Sequence, residues 1–154
     1  MCFGSGLPLT RFGISVISAG AGPSGEASRA DDQFADELLD LHENLLHATL
    51  DHALEHLGGR TSDGTTLLAR QAVQVQLADI AMRLREHRAM PPERRSADRP
   101  ARWRTHQRLV AIGRDLLRLF AASGFLLDGP GGDLHLAEVT GNVYLHPGTE
   151  YTDA

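Results

Sequence analysis

Two groupings of histidine and glutamate in this sequence have spacings that chemistry could use. His52-Ala53-Leu54-Glu55-His56 puts two imidazoles one helical turn apart with a carboxylate between them, as in the helix of an inverted zinc protease. With His47 and Asp51 upstream on the same helix and Glu138 as a remote third ligand, the pair could hold Zn²⁺ while Glu55 activates water. Eight histidines in 154 residues produce so short a pattern easily by chance, and folds that use it are much larger. The motif is therefore read as a solvated helix face, with no metal site. The second grouping is His135 and Glu138, three residues apart and so on one helix face, followed by His146. Imidazoles titrate near neutral pH, so these groups could serve acid–base chemistry, against the plainer reading of surface or partly buried histidines.

The elements that must position them are helical. A stripe of Leu38, Leu41, Leu45, Ala48, Leu50, Ala53, Leu54 and Leu57 predicts a first helix from Asp31 to Leu57. Asp31, Asp32, Asp36 and Glu37 suit its positive end, and Gly58-Gly59 closes it. A second helix is expected from about Thr65 to Ala89, capped by Thr65 or Thr66, with Leu68, Val75, Ala78 and Met82 as its buried face. Pro91 to Pro100 reads as a solvated loop. Ala101 to Ala122 is a third helix, with Trp103, Leu109, Val110, Ile112, Leu116, Leu117, Leu119 and Phe120 inward and Arg104, Arg108, Arg114 and Arg118 outward. A short last helix, Asp133 to Leu145, has Asp133 as its cap and Gly141 as a soft point. Pro147-Gly148 stops it. The sum is an all-α, up-down four-helix bundle over 31–154, preceded by a flexible Gly/Ser-rich segment, 1–30, with one short strand-like run at Arg11 to Ile17.

Composition narrows the function. The chain is 42% hydrophobic with a formal net charge of −5, enough for one cored domain and a poor match to nucleic acid or an anionic membrane. All fifteen basic residues are arginine, as codon bias in a GC-rich genome would produce, and Schiff-base lysine chemistry is excluded. The lone Cys2 cannot form an internal disulfide, which points to a reducing cytoplasm, and no apolar run is long enough to span a bilayer.

The stretch from Arg60 through Gly64, Gln71 and Gln74 to Leu77-Ala78-Asp79-Ile80-Ala81 resembles the C-terminal helical domain of the flavin-dependent acyl-CoA dehydrogenases. Leu119-Phe120-Ala121-Ala122-Ser123-Gly124-Phe125 and Tyr144-Leu145-His146-Pro147-Gly148-Thr149-Glu150 extend the likeness in the same order, so that it runs from about Gln33 to the C-terminus. The resemblance implies a domain that pairs with itself or with a full-size flavoprotein subunit and helps hold FAD between subunits. Arg60 would contact the FAD pyrophosphate, for which a guanidinium fork is well shaped; the plainer role is a helix-end arginine on carbonyl oxygens. Ser62, Gln71, Gly148 and Thr149 stand at the family's other cofactor contacts. The implied reaction is α,β-dehydrogenation of an acyl thioester.

Several positions depart from that pattern. Pro147 occupies the place of the family's usual catalytic glutamate, and Asp63 that of an apolar flavin contact. Ala121-Ala122 replaces a glycine pair, and the two upstream domains that build most of the flavin site are missing. Some family members take their base from the start of the first helix, which makes Asp36 and Glu37 candidates here beside Asp32. His146 is the titratable group nearest the lost base; with Glu138 it would suit a flavin-free isomerase, lyase or cyclase. A helical module that only docks a partner is the third expectation.

Overall fold

The computed structural model describes residues 29–121, 124 and 129–147. Its order is α1 (Arg29–Gly58), a two-stranded hairpin of β1 (Thr61–Ser62) and β2 (Thr65–Thr66), a 3₁₀ turn (Leu67–Ala69), α2 (Gln71–Ala89), α3 (Pro92–Arg95), α4 (Arg99–Leu119) and α5 (Pro130–Tyr144). The all-α expectation holds. Calls on residues 1–28, Ala122, Ser123, Phe125, Gly148, Thr149 and Glu150 lie outside the described residues.

Cross-helix contacts give the directions. Arg102 bonds Asp32 and Asp36, His106 stacks beside His42, and Phe120 lies against His52 and His56, so α1 and α4 run side by side in the same sense. Arg83 and His87 on α2 lie by Asp115 and Arg108 of α4, and Glu138 and Asn142 on α5 meet Arg114 and His106 of α4; both flanking helices are antiparallel to α4. Leu46, Leu84, Leu109, Leu116 and Leu145 are fully buried where these helices converge. At roughly 2 kcal/mol for each such side chain, this shared layer is the main stabilising term.

The start of α4 follows its sequence. Asp98 caps it by accepting from the Ala101 amide at 2.6 Å, and Pro100 occupies the first turn, where a missing amide proton costs nothing. Its inward residues are as expected, except that Trp103 and Leu117 are only partly covered.

Five expectations need correction. The second helix begins at Gln71, because Asp63-Gly64 makes a tight turn with φ of +54° and +78°. Positive φ at both central residues is what a two-residue hairpin requires, so Thr65 and Thr66 pair with Ser62 and Thr61 instead of capping a helix. The buried face of α2 is Leu77, Ile80, Leu84 and His87; Val75 and Met82 are 61% and 58% exposed. On α1, Leu41 and Leu54 face outward while His42, Glu43 and Thr49 are buried. The stretch after Pro91 is only partly solvated, since α3 carries Arg95 inward to Glu43 at 3.1 Å and the Arg95 carbonyl accepts from Thr105 Oγ1 at 2.8 Å. At the last helix, Gly129 is the cap and Asp133 lies in the first turn.

Candidate functional site

Arg60, Ser62 and Gln71 are gathered at one end of the bundle by the hairpin. Gly59 ends α1 by donating its amide to the Glu55 carbonyl at 2.9 Å, and the Arg60 carbonyl accepts from the Leu67 amide at 2.8 Å, which anchors both feet of the hairpin. Arg70 braces it from below, donating to Asp63 Oδ2 at 2.8 Å and to the Ser62 carbonyl at 3.2 Å. The Asp63 carboxylate, which stands where the resemblance expects an apolar flavin contact, is therefore paired within the chain. Ser62 Oγ also donates to it, at 3.2 Å. The Arg60 side chain is exposed, and among the described residues its guanidinium has no carboxylate or carbonyl partner. Gln71 opens α2 with its side chain exposed as well. The donor set suits an anionic group: a guanidinium and an amide with no partner among the described residues, and a nearby acid already paired.

The acid–base candidates are scattered. Asp36 accepts from Arg102 Nε at 2.9 Å, and Asp32 from Arg102 Nη1 at 2.6 Å. Glu37 is exposed and accepts from Gln33. Glu138 accepts from Arg114 at 2.6 Å. It shares with His135 the rim of a cavity bounded by α1, α4 and α5. His146 lies beyond the C-terminus of α5, edge-on to Trp103 with ring centroids 4.8 Å apart, more than two helical turns from Glu138. The structure therefore joins His135 with Glu138 and leaves His146 apart. The two histidines of the zinc-like motif both pack on Phe120. Among the described residues no cluster of three or more His, Cys, Asp or Glu is placed to hold a metal ion.

The densest polar constellation is one that the residue patterns did not single out. Glu43, almost wholly buried, receives Arg95 at 3.1 Å and has His87 Nε2 at 3.4 Å from the same oxygen. Next to it His42 and His106 face each other at 5.6 Å. His106 Nε2 lies 3.1 Å from Asn142 Oδ1 on α5. Burial pushes all three imidazoles toward the neutral form. His42 falls to about 4, through desolvation first and then the fields of His106 and His87. His87 is lowered by desolvation against the opposing pull of Glu43, and His106 by desolvation against Asn142 and Glu138. A signal for them exists in the sequence: each continues a buried stripe, as Leu39-His42-Leu46, Leu84-His87 and His106-Leu109.

None of the described helices is long and apolar enough to cross a membrane. A search of curated proteins and a search of solved structures each return no match. A family model, acyl-CoA dehydrogenase, C-terminal domain, matches residues 44–138. That span covers well over half of the chain and runs from the middle of α1 through the hairpin, α2 and α4 to Glu138 on α5. It stops short of the Tyr144–Glu150 patch. With the all-helical fold and the Arg60 hairpin between its first two long helices, this chain belongs to the acyl-CoA dehydrogenase C-terminal domain family.

Proposed function

We propose that this chain contributes the helical part of an FAD site formed between subunits, either in a homo-oligomer or with a full-size flavoprotein, that serves α,β-dehydrogenation of an acyl thioester. The observation that supports the reading is the Arg60 guanidinium: exposed, without a carboxylate or carbonyl partner among the described residues, and carried on a hairpin whose turn acid is already paired with Arg70. Arg60 would bind the cofactor pyrophosphate through a bidentate, charge-assisted contact, and Gln71 would add an amide donor. When bound, FAD accepts hydride from the acyl chain as the α-proton departs. Where the partner is a full-size flavoprotein, that subunit would supply the base, since Pro147 has no proton-accepting group and Asp36 and Glu138 are each engaged by an arginine. Gly148 and Thr149, which stand at the family's last cofactor contacts, would complete the site.

FAD titrated into the purified protein, followed by quenching of flavin fluorescence, tests this. Saturable quenching is expected, with Arg60→Ala weakening it by roughly tenfold to a hundredfold, as loss of a charge-assisted pair does. Absence of quenching both alone and after mixing with a full-size flavoprotein of the family, or quenching that Arg60→Ala leaves unchanged, overturns the proposal.

A further inference from the structure

Nine of the fifteen arginines fall from Arg83 to Arg108, a stretch with only three acids, Glu86, Glu93 and Asp98, in a chain whose formal net charge is −5. The more buried of the nine take the carboxylates within reach: Arg83 pairs with Asp115, Arg95 with Glu43, and Arg102 with Asp32 and Asp36. The other six, Arg85, Arg88, Arg94, Arg99, Arg104 and Arg108, are exposed and have no carboxylate partner among the described residues. Three of these, Arg94 on α3 with Arg104 and Arg108 on α4, line one groove of about 440 Å³ that reaches the end of α2 at Met90. The backbone beneath them is fixed. Arg95 Nη1 donates to Glu43 at 3.1 Å, and the Arg95 carbonyl accepts from Thr105 Oγ1 at 2.8 Å, which seats α3 against α1 and α4. Arg104 and Arg108 stand one helical turn apart, where like charges repel. Of the two acids in the lining, Asp98 is engaged in capping α4. Glu93 alone cannot neutralise three guanidinium groups.

We propose that this groove binds a small molecule carrying two or more adjacent phosphate groups. A guanidinium fork matches two phosphate oxygens at once, and three forks around one groove call for more anionic oxygens than a single phosphate presents. The lining also argues against larger anionic partners. A protein interface needs apolar anchors at its centre, and among the described residues Met90 is the groove's only large apolar side chain. Single-stranded nucleic acid needs aromatic platforms for its bases, and no aromatic ring stands among the described lining residues. What the groove offers is charge, fork geometry and room, which is what a compact oligophosphate uses. The inference is independent of the flavin reading. The groove lies along the first half of α4, whereas the Arg60 hairpin follows the end of α1, which packs on Phe120 at the far end of α4.

Isothermal titration calorimetry of the full chain at low salt, with inorganic tripolyphosphate as the probe, tests this. Saturable binding at one site per chain is expected, tightening in the order phosphate, pyrophosphate, tripolyphosphate. Arg104→Gln and Arg108→Gln should each weaken tripolyphosphate by roughly tenfold. Arg104→Lys should recover only part of that loss, because the charge returns without the fork. Glu93→Gln should tighten binding. Arg85→Gln, an equal loss of charge on the same surface but outside the groove, should leave it nearly unchanged, as should Arg60→Gln. ATP should match tripolyphosphate, since the groove has no ring on which the base could stack. No saturation, an equal loss from Arg85→Gln, ATP far tighter than tripolyphosphate, or a hexaglutamate peptide that binds as tightly would each overturn the proposal. Binding lost in Arg60→Gln alone would overturn it too, while leaving the flavin reading standing.

Discussion

Gly141 of α5 and His106 of α4 occupy one space: a Cβ built on Gly141 would overlap the His106 imidazole. The ring is 1% exposed and held through Nε2 by Asn142, so it has no open side to move into. Gly141 is thus a packing position, not the soft point its place near a helix end suggests. Gly141→Ala should gain about 1 kcal/mol of helix propensity and lose more to overpacking, for a net loss of about 2 kcal/mol. Urea denaturation measures it. In a His106→Ala background the same substitution should cost markedly less, and equal costs in the two backgrounds would show that the ring is not the obstacle.

Stability should fall as the pH drops from 6.5 toward 4. His42, His87 and His106 all have folded-state pKa values below the unfolded value of 6.5, so below that pH the unfolded chain binds more protons than the folded one. Their neutral-state stability is complete above pH 6.5 and is lost progressively toward the folded value, about 4 for His42. For His42 alone that interval corresponds to about 3 kcal/mol. Denaturation midpoints at pH 7.5, 6 and 5 should decline in order, and His42→Leu should flatten the slope. A flat wild-type profile would contradict the burial of these rings.

Ala121 ends α4 in the left-handed region at φ +50°, a conformation that alanine adopts at a cost and glycine does not. Ala121→Gly should therefore stabilise the protein by about 0.5–1 kcal/mol, after allowance for the greater freedom of glycine in the unfolded chain. A thermal melt reads the sign directly. The position is one of the two where the resemblance expects glycine, and the backbone there takes a glycine-type conformation.

The three long helices and the last short one were legible in the residues, because their signals are local, whereas the short α3 was read as part of a loop. Gly58-Gly59 closes α1, Pro91-Pro92 follows α2, and the leucine and isoleucine spacing of α4 marks its inner face. The hairpin was legible too, in the dipeptide Asp63-Gly64, but the apolar residues after it suggested a helix starting six residues early. Arg60 and Gln71 were named from the family resemblance; their freedom to bind anything depends on Arg70 taking Asp63, a pairing across seven residues that only the turn brings about.

Which side of each helix faces in is a different kind of fact. On α2 two stripes compete, Leu68-Val75-Ala78-Met82 and Leu77-Ile80-Leu84-His87, and nothing local ranks them. The neighbours decide: α4 presents Asp115 to Arg83, and α1 presents Glu43 to His87, which turns the second stripe inward. The same holds for His42, Glu43 and His106, polar residues that a single chain reads as surface until an opposing helix supplies their partner or their cavity. Periodicity within one helix records that an apolar face exists, and the sequence alone determined that much. The choice of face, and the burial of three histidines, came only with tertiary packing, because desolvation is a property of what lies across the interface.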